Sequence, residues 1–126
     1  MLRVHDEDWE ARTRASFARQ RMMDTLGVRI ADLAPGRCVL EMPYDERFTQ
    51  QHGYAHAGAT ATLADSACGY AAYTLAAPDA TVLTVEYKIN LLAPAAGDRF
   101  RATAAGASRL ILYSTVSTVA SGAASV

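Results

Sequence analysis

Between Arg47 and Lys88 the chain has no lysine and no arginine, so any acid in that interval is without a basic neighbour in sequence. Cysteine is scarce as well. Cys38 and Cys68 are the only two, with neither CxxC spacing nor a histidine at ligand spacing, which argues against a zinc site and a disulfide framework and leaves two small buried hydrophobes. No uncharged apolar run reaches the roughly 18 residues of a membrane span, because Asp65 interrupts the single candidate. The N-terminus lacks the apolar segment of a signal peptide, so a cytoplasmic protein without a membrane partner is expected. Nor is there a charge excess. A net charge of −1 over 126 residues leaves no electrostatic footprint for nucleic acid or an anionic surface. With no internal repeat and no low-complexity linker, residues 1–126 read as a single domain.

What is present is a stretch from Gln50 to Ala72 around which the rest is arranged. Its first part is polar and contains glycine. From Ala59 to Leu75 the residues are small and apolar on nearly every face, which predicts a central helix over 56–75 that is buried all round. Asp65 breaks that pattern. A carboxylate buried without a partner is costly, so a function is the simplest account of it. A helix starting near His56 presents unpaired backbone N–H groups in its first turn, including those of Ala57 and Gly58, at the end that favours an anion or a developing oxyanion. Asp65 lies about two and a half turns further on, too far to act on the same atom within one chain. Two copies with these helices side by side and antiparallel bring the helix start of one near the carboxylate of the other, which makes a dimer part of the chemistry.

Around that helix the pattern is mixed. Asp6, Glu7 and Asp8 open an acidic helix start, and residues 1–26 form an N-terminal helix region with Trp9, Thr13, Phe17 and Gln20 near helical spacing. The arginines around them, Arg12, Arg14, Arg19 and Arg21, read as a solvated face, or alternatively as contacts to the phosphates of a nucleotide-bearing substrate. Gly27 ends the helix. Val28 to Ala34 and Cys38 to Met42 are two extended runs joined by a Pro35-Gly36 turn. Pro43 to Thr49 is a polar loop. Thr81 to Leu92 alternates an apolar set (Leu83, Val85, Tyr87, Ile89, Leu91) with a largely polar one (Val82, Thr84, Glu86, Lys88, Asn90) and predicts a strand. Asp98 to Ser108 and Leu110 to Ala120 predict two more, followed by a turn at Ser121-Gly122.

Two motifs at their separation carry a family resemblance. His56-Ala57-Gly58 followed by Ala61-Thr62-Leu63-Ala64-Asp65, and then Val85 to Pro94 with Tyr87, Asn90 and Leu91 in register, resemble the PaaI-like branch of the hotdog-fold acyl-CoA thioesterases. The resemblance runs from about Phe17 onward. It implies an α+β hotdog fold, an antiparallel sheet wrapped around a long central helix, and hydrolysis of an acyl-CoA with no metal or other cofactor, CoA being part of the substrate. Members commonly carry one more full strand than the run to Val126 supplies, so the last edge strand is expected to be short or missing, or the chain truncated. A dimer or tetramer is implied.

The resemblance also assigns roles. Asp65 matches the catalytic carboxylate, acting as base or nucleophile, and the Ala57 N–H matches the oxyanion donor, where the family usually has glycine. Gly58 matches the glycine that permits close backbone packing. Gln50 matches an Asn or Gln that bonds the thioester oxygen or orients water, with Gln51 as its rival by one register. His56 orients the loop or the substrate carbonyl, while His52 reads as an exposed loop residue. Thr84 matches a hydroxyl that positions water from the partner protomer, and a further hydroxyl one turn after the carboxylate is absent, Gly69 standing there. Tyr54, Tyr70, Tyr73 and Leu63 are the pocket candidates, compatible with an aromatic or a medium-chain acyl group. Two other functions stay open: a non-catalytic acyl-CoA-binding module, and a hydroxyacyl-thioester dehydratase.

Overall fold

The computed structural model describes residues 3–106 and 113–119. In chain order these form helices α1 (Trp9–Arg19) and α2 (Arg21–Leu26), strands β1 (Arg29–Ala34) and β2 (Arg37–Pro43), a 3-10 turn (Glu46–Phe48), helix α3 (Ala57–Tyr73), and strands β3 (Arg99–Ala105) and β4 (Tyr113–Val119). The four strands make one antiparallel sheet in the order β1-β2-β3-β4, and α3 packs across its inner face. This is the sheet-around-helix architecture expected. The turn read at Ser121-Gly122, and with it the question of a last edge strand, lies outside the described residues.

Alternation in the sequence sets the layering. Cys38, Leu40 and Met42 on β2 and Phe100, Ala102 and Ala104 on β3 point inward and meet Leu63, Ala67, Tyr70 and Ala71 of α3 in one buried cluster. Alanines on both sides of that contact let the helix sit close to the sheet, so the core is filled by a few large side chains, chiefly Phe100, Met23, Leu40 and Leu63. Both ends of α3 are fixed. At its C-terminal end the Thr74 hydroxyl donates to Ala71 O at 2.7 Å and accepts from the N–H of Gly36 at 2.8 Å, tying the helix to the β1–β2 turn. At its start, the His56 N–H donates to Phe48 O and the Ala55 N–H to Ala95 O, both within 3.0 Å.

Four expectations change. The N-terminal helix is two helices, broken at Gln20, whose extended backbone (φ −84°, ψ 101°) ends α1 and starts α2. Its arginines are not all on a solvated face: Arg12 pairs with Asp6 at 2.8 Å, donates to Ala76 O at 3.0 Å and lies over the Tyr73 ring, clamping α1 to the far end of α3. The central helix is buried on one stripe rather than all round; Thr60, Leu63, Ser66, Ala67, Tyr70 and Ala71 are covered, while Gly58, Ala61, Thr62 and Asp65 are not. Finally, residues 81–92 join no strand ladder among the described residues. β3 is already paired on both sides, by β2 and β4, so the segment just before it cannot join β3 and could enter the sheet only at an outer edge.

Candidate active site

Helix α3 starts as its residues dictate. His56 takes the N-cap position (φ −63°, ψ 136°), and its ring Nδ1 accepts the N–H of Gly58 at 2.8 Å. The N–H groups of Ala59 and Thr60 both turn back to His56 O. Of the two N–H groups expected to be unpaired, that of Gly58 is therefore taken by the cap. The N–H of Ala57 has no acceptor among the described residues, and it lies at the positive end of a 17-residue helix, the end that favours an anion. The cap also fixes the tautomer of the neutral histidine: with Nδ1 accepting, the proton resides on Nε2, so His56 offers an N–H outward.

Glycine at position 58 follows from the same contact. A Cβ there would lie 2.9 Å from His56 Nδ1 and 3.2 Å from Cε1, closer than side chains tolerate. The close packing expected at Gly58 is thus against the His56 ring. Gly58→Ala should displace that ring, and with it the cap and the outward N–H. The expected outcome is a kcat lowered about tenfold to a hundredfold, the scale of a misplaced orienting group. The melting temperature should shift by only a few degrees, since the lost cap opposes the helix propensity that alanine gains. Steady-state kinetics and a thermal melt on one preparation check both.

Asp65 lies on the uncovered stripe of α3, half-buried, and its Oδ1 accepts the hydroxyl of Thr84 at 2.6 Å. One expectation is corrected here. The carboxylate has a partner, although not a charged one: Thr84 of its own chain. Because the bond uses one carboxylate oxygen, Oδ2 has no hydrogen bond among the described residues.

Gln50 sits in a tight loop closed by the Thr49–Ala55 bridge and by Gln50 N–H to Tyr54 O at 2.9 Å. Its Oε1 accepts the N–H of His52, which leaves its amide NH2 as the group able to donate outward. Gln51 is exposed, as are His52 and Tyr54. Tyr70 and Leu63 are core residues, Tyr70 packing edge-on to Phe17 and Tyr73.

Apart from His56 and Gly58, the pocket at the helix start is made by residues that the sequence did not single out. A cleft of about 310 Å³ lies between α2, the 3-10 turn and the first two turns of α3, with Met22, Leu26, Phe48 and Ala59 supplying apolar walls and His56 and Gly58 one rim. Arg47 stacks over Phe48 and is held by Asp45, which keeps that carboxyl below its usual pKa through the guanidinium bonds and the Arg47 N–H. The available signal was Met22, Leu26 and Phe48 flanking the turns; nothing local in sequence brings α2 to the start of α3.

Comparison with known proteins places this arrangement. Residues 52–106 match the model of a family described as the thioesterase superfamily. A crystal structure of a thioesterase family protein from Silicibacter pomeroyi is 56% identical and superposes with a TM-score of 0.76 over 77% of this chain and 71% of that one. The 1,4-dihydroxy-2-naphthoyl-CoA hydrolase of Listeria monocytogenes is 30% identical over 83 residues, 66% of this chain and 68% of that protein. The E. coli PaaI protein, from the phenylacetic acid degradation operon, shares the fold, with a TM-score of 0.70 at 24% identity over 80% of this chain and 72% of that one. The chain spans about half the length of other curated relatives, 49% of one and 43% of a second.

Proposed function

The chain belongs to the thioesterase superfamily, and on that premise we propose that it hydrolyses an acyl-CoA thioester to the free acid and CoA. The observation that carries this reading is the pairing of the unused Ala57 N–H with a carboxylate on the same uncovered stripe of α3. The Ala57 N–H donates to the oxyanion that develops as the thioester carbonyl is attacked. Asp65, with Oδ1 fixed by Thr84, presents Oδ2 either to a water, whose proton it removes, or directly to the carbonyl carbon as nucleophile, in which case the mixed anhydride left on Asp65 after loss of the thiolate is hydrolysed by a water to the free acid and the carboxylate. Collapse of the tetrahedral centre breaks the C–S bond and expels the CoA thiolate, which takes up a proton. The Nε2–H of His56 and the amide NH2 of Gln50 orient the substrate carbonyl from the loop side, Gln50 being favoured over Gln51 because its loop holds it in place. The apolar cleft beside His56 takes the acyl group, aromatic or of medium chain length.

One helix cannot supply both halves of the site, since residues 57 and 65 are about 12 Å apart along its axis. Antiparallel packing of two α3 helices centred on Ala61 sets residue 57 of each copy opposite residue 65 of the other and so completes two equal sites. The uncovered stripe suits this, because Ala57, Gly58, Ala61 and Ala64 allow close approach. So does the segment 81–92, whose apolar row from Leu83 to Leu91 is between 41% and 95% exposed in the single chain. The active unit is thus at least a dimer.

Release of free thiol from a panel of acyl-CoA esters tests the activity, and the named naphthoyl-CoA hydrolase among the relatives is reason to include an aryl-CoA. Turnover of at least one ester is expected; saturable binding of every ester without thiol release would establish the binding-only module instead. A fully active monomer in ultracentrifugation at assay concentration would remove the shared site.

A further inference from the structure

The outer face of the sheet, turned away from α3, carries a second polar centre. Glu41 on β2 stands opposite Arg29 on β1 and opposite Arg101 on β3, and Arg101 stands opposite Ser117 on β4, so that one row of side chains crosses all four strands. Glu41 is only 3% exposed. Its carboxylate accepts from Arg29 at 2.8 Å, from Arg101 at 2.7 and 3.1 Å, and from Arg99 at 3.4 Å. Burial pushes its pKa up, but the Arg101 and Arg29 guanidiniums outweigh this and hold it below the usual carboxylate range. Next to this group Arg37 pairs with Asp32. Among the described residues of this face, four guanidiniums meet two carboxylates, which leaves two positive charges in excess in a chain whose net charge is −1.

We propose that this face binds a phosphate-bearing ligand, with Arg29, Arg99 and Arg101 donating to phosphate oxygens and Glu41 holding the three guanidiniums in position. Geometry and charge both support it. Arg29, Glu41 and Arg101 line a cleft of about 400 Å³ together with Asp32, Arg37 and Thr103, and Arg99, outside that lining, reaches the same Glu41 carboxylate. Each guanidinium carries five N–H donors, so one carboxylate cannot use those of three arginines; the remaining ones are offered to solvent in the planar fork that suits phosphate. Because Glu41 already restrains these side chains, less conformational entropy remains to be lost when a ligand arrives. Arg99 has the longest bond to Glu41 and a side chain 45% exposed, so it can turn toward a ligand with little disturbance. The hydroxyls of Thr103 and Ser117 lie on the same face and add neutral donors. The site does not depend on the catalytic reading, since it occupies the opposite side of the sheet.

Calorimetric titration at constant ionic strength tests it, with inorganic pyrophosphate in one arm and adenosine 3′,5′-bisphosphate in the other to separate a bare phosphate ligand from a nucleotide. Saturable binding of either compound at one per chain is expected. Arg29→Gln and Arg99→Gln, made separately and checked by thermal melt, should each weaken it by at least about tenfold, the loss of a charge-assisted hydrogen bond. Arg14→Gln, whose arginine pairs with Glu10 on α1, should leave it unchanged. Absence of saturable binding in both arms, or equal binding in all three variants, overturns the proposal and leaves the cluster as a clamp between strands.

Discussion

Asp65→Asn should fold like the parent and lose at least about a hundredfold in turnover, the scale of removing a general acid or base. The replacement changes little except charge. Asparagine has the shape of aspartate, and its amide oxygen can accept the Thr84 hydroxyl as Oδ1 does now at 2.6 Å. Asp65 is half-buried on a stripe that its own chain leaves uncovered, so no core contact is lost. What disappears is the second oxygen's ability to take a proton or to attack a carbonyl, which an amide does not replace. A thermal melt together with thiol-release kinetics on one preparation separates the two effects, and parental turnover in Asp65→Asn would end the enzymatic assignment. Asp65→Ala is the poorer test because it also frees Thr84.

The sequence showed the elements more clearly than the way they meet. Gly27 ends α2 with φ 70°, and Pro35-Gly36 turns between β1 and β2 with Gly36 at φ 74°; both are local demands for a left-handed residue and are readable one residue at a time. The helix start at His56 was also readable locally, from the change there from a polar to a small apolar run. The break at Gln20 was not, since no glycine or proline marks it. It shows only in the backbone of Gln20, which is extended (φ −84°, ψ 101°) between two helices that both send side chains to the core, Phe17 from α1 and Met23 and Leu26 from α2. Residues 81–92 show the limit most plainly. Their alternation separates an apolar from a polar row, yet it does not say which row meets α3. Thr84, from the polar row, meets Asp65, and the apolar row faces out.

The site followed the same rule. Asp65 stood out because an acid interrupts an apolar helix, a signal carried by one residue. That Gly58 donates to the ring of His56, and that Ala57 alone is left with an unused N–H, could not be read from residue types, because the ring orientation decides it. The cleft formed by Met22, Leu26 and Phe48 was equally hidden, since it joins elements about 30 residues apart in sequence.

The distinction between Ala57 and Gly58 can be tested directly by Ala57→Pro. Proline has no N–H, so the substitution deletes the proposed oxyanion donor and nothing else of the polar site. The position tolerates it for two reasons. Ala57 is the first residue of α3, where the lost N–H has no helical partner and proline is favoured. The preceding residue, His56, already has the extended backbone (φ −63°, ψ 136°) that a following proline requires, so the cap through Nδ1 can persist. Folding should therefore be retained while kcat falls about a hundredfold to a thousandfold, the range for removing one oxyanion donor. Ala57→Gly is the matching control: it keeps the N–H, removes a methyl group at the point of closest substrate approach, and should not lower activity. A folded Ala57→Pro protein with near-parental kcat would place the oxyanion donor elsewhere, whatever Asp65→Asn had shown.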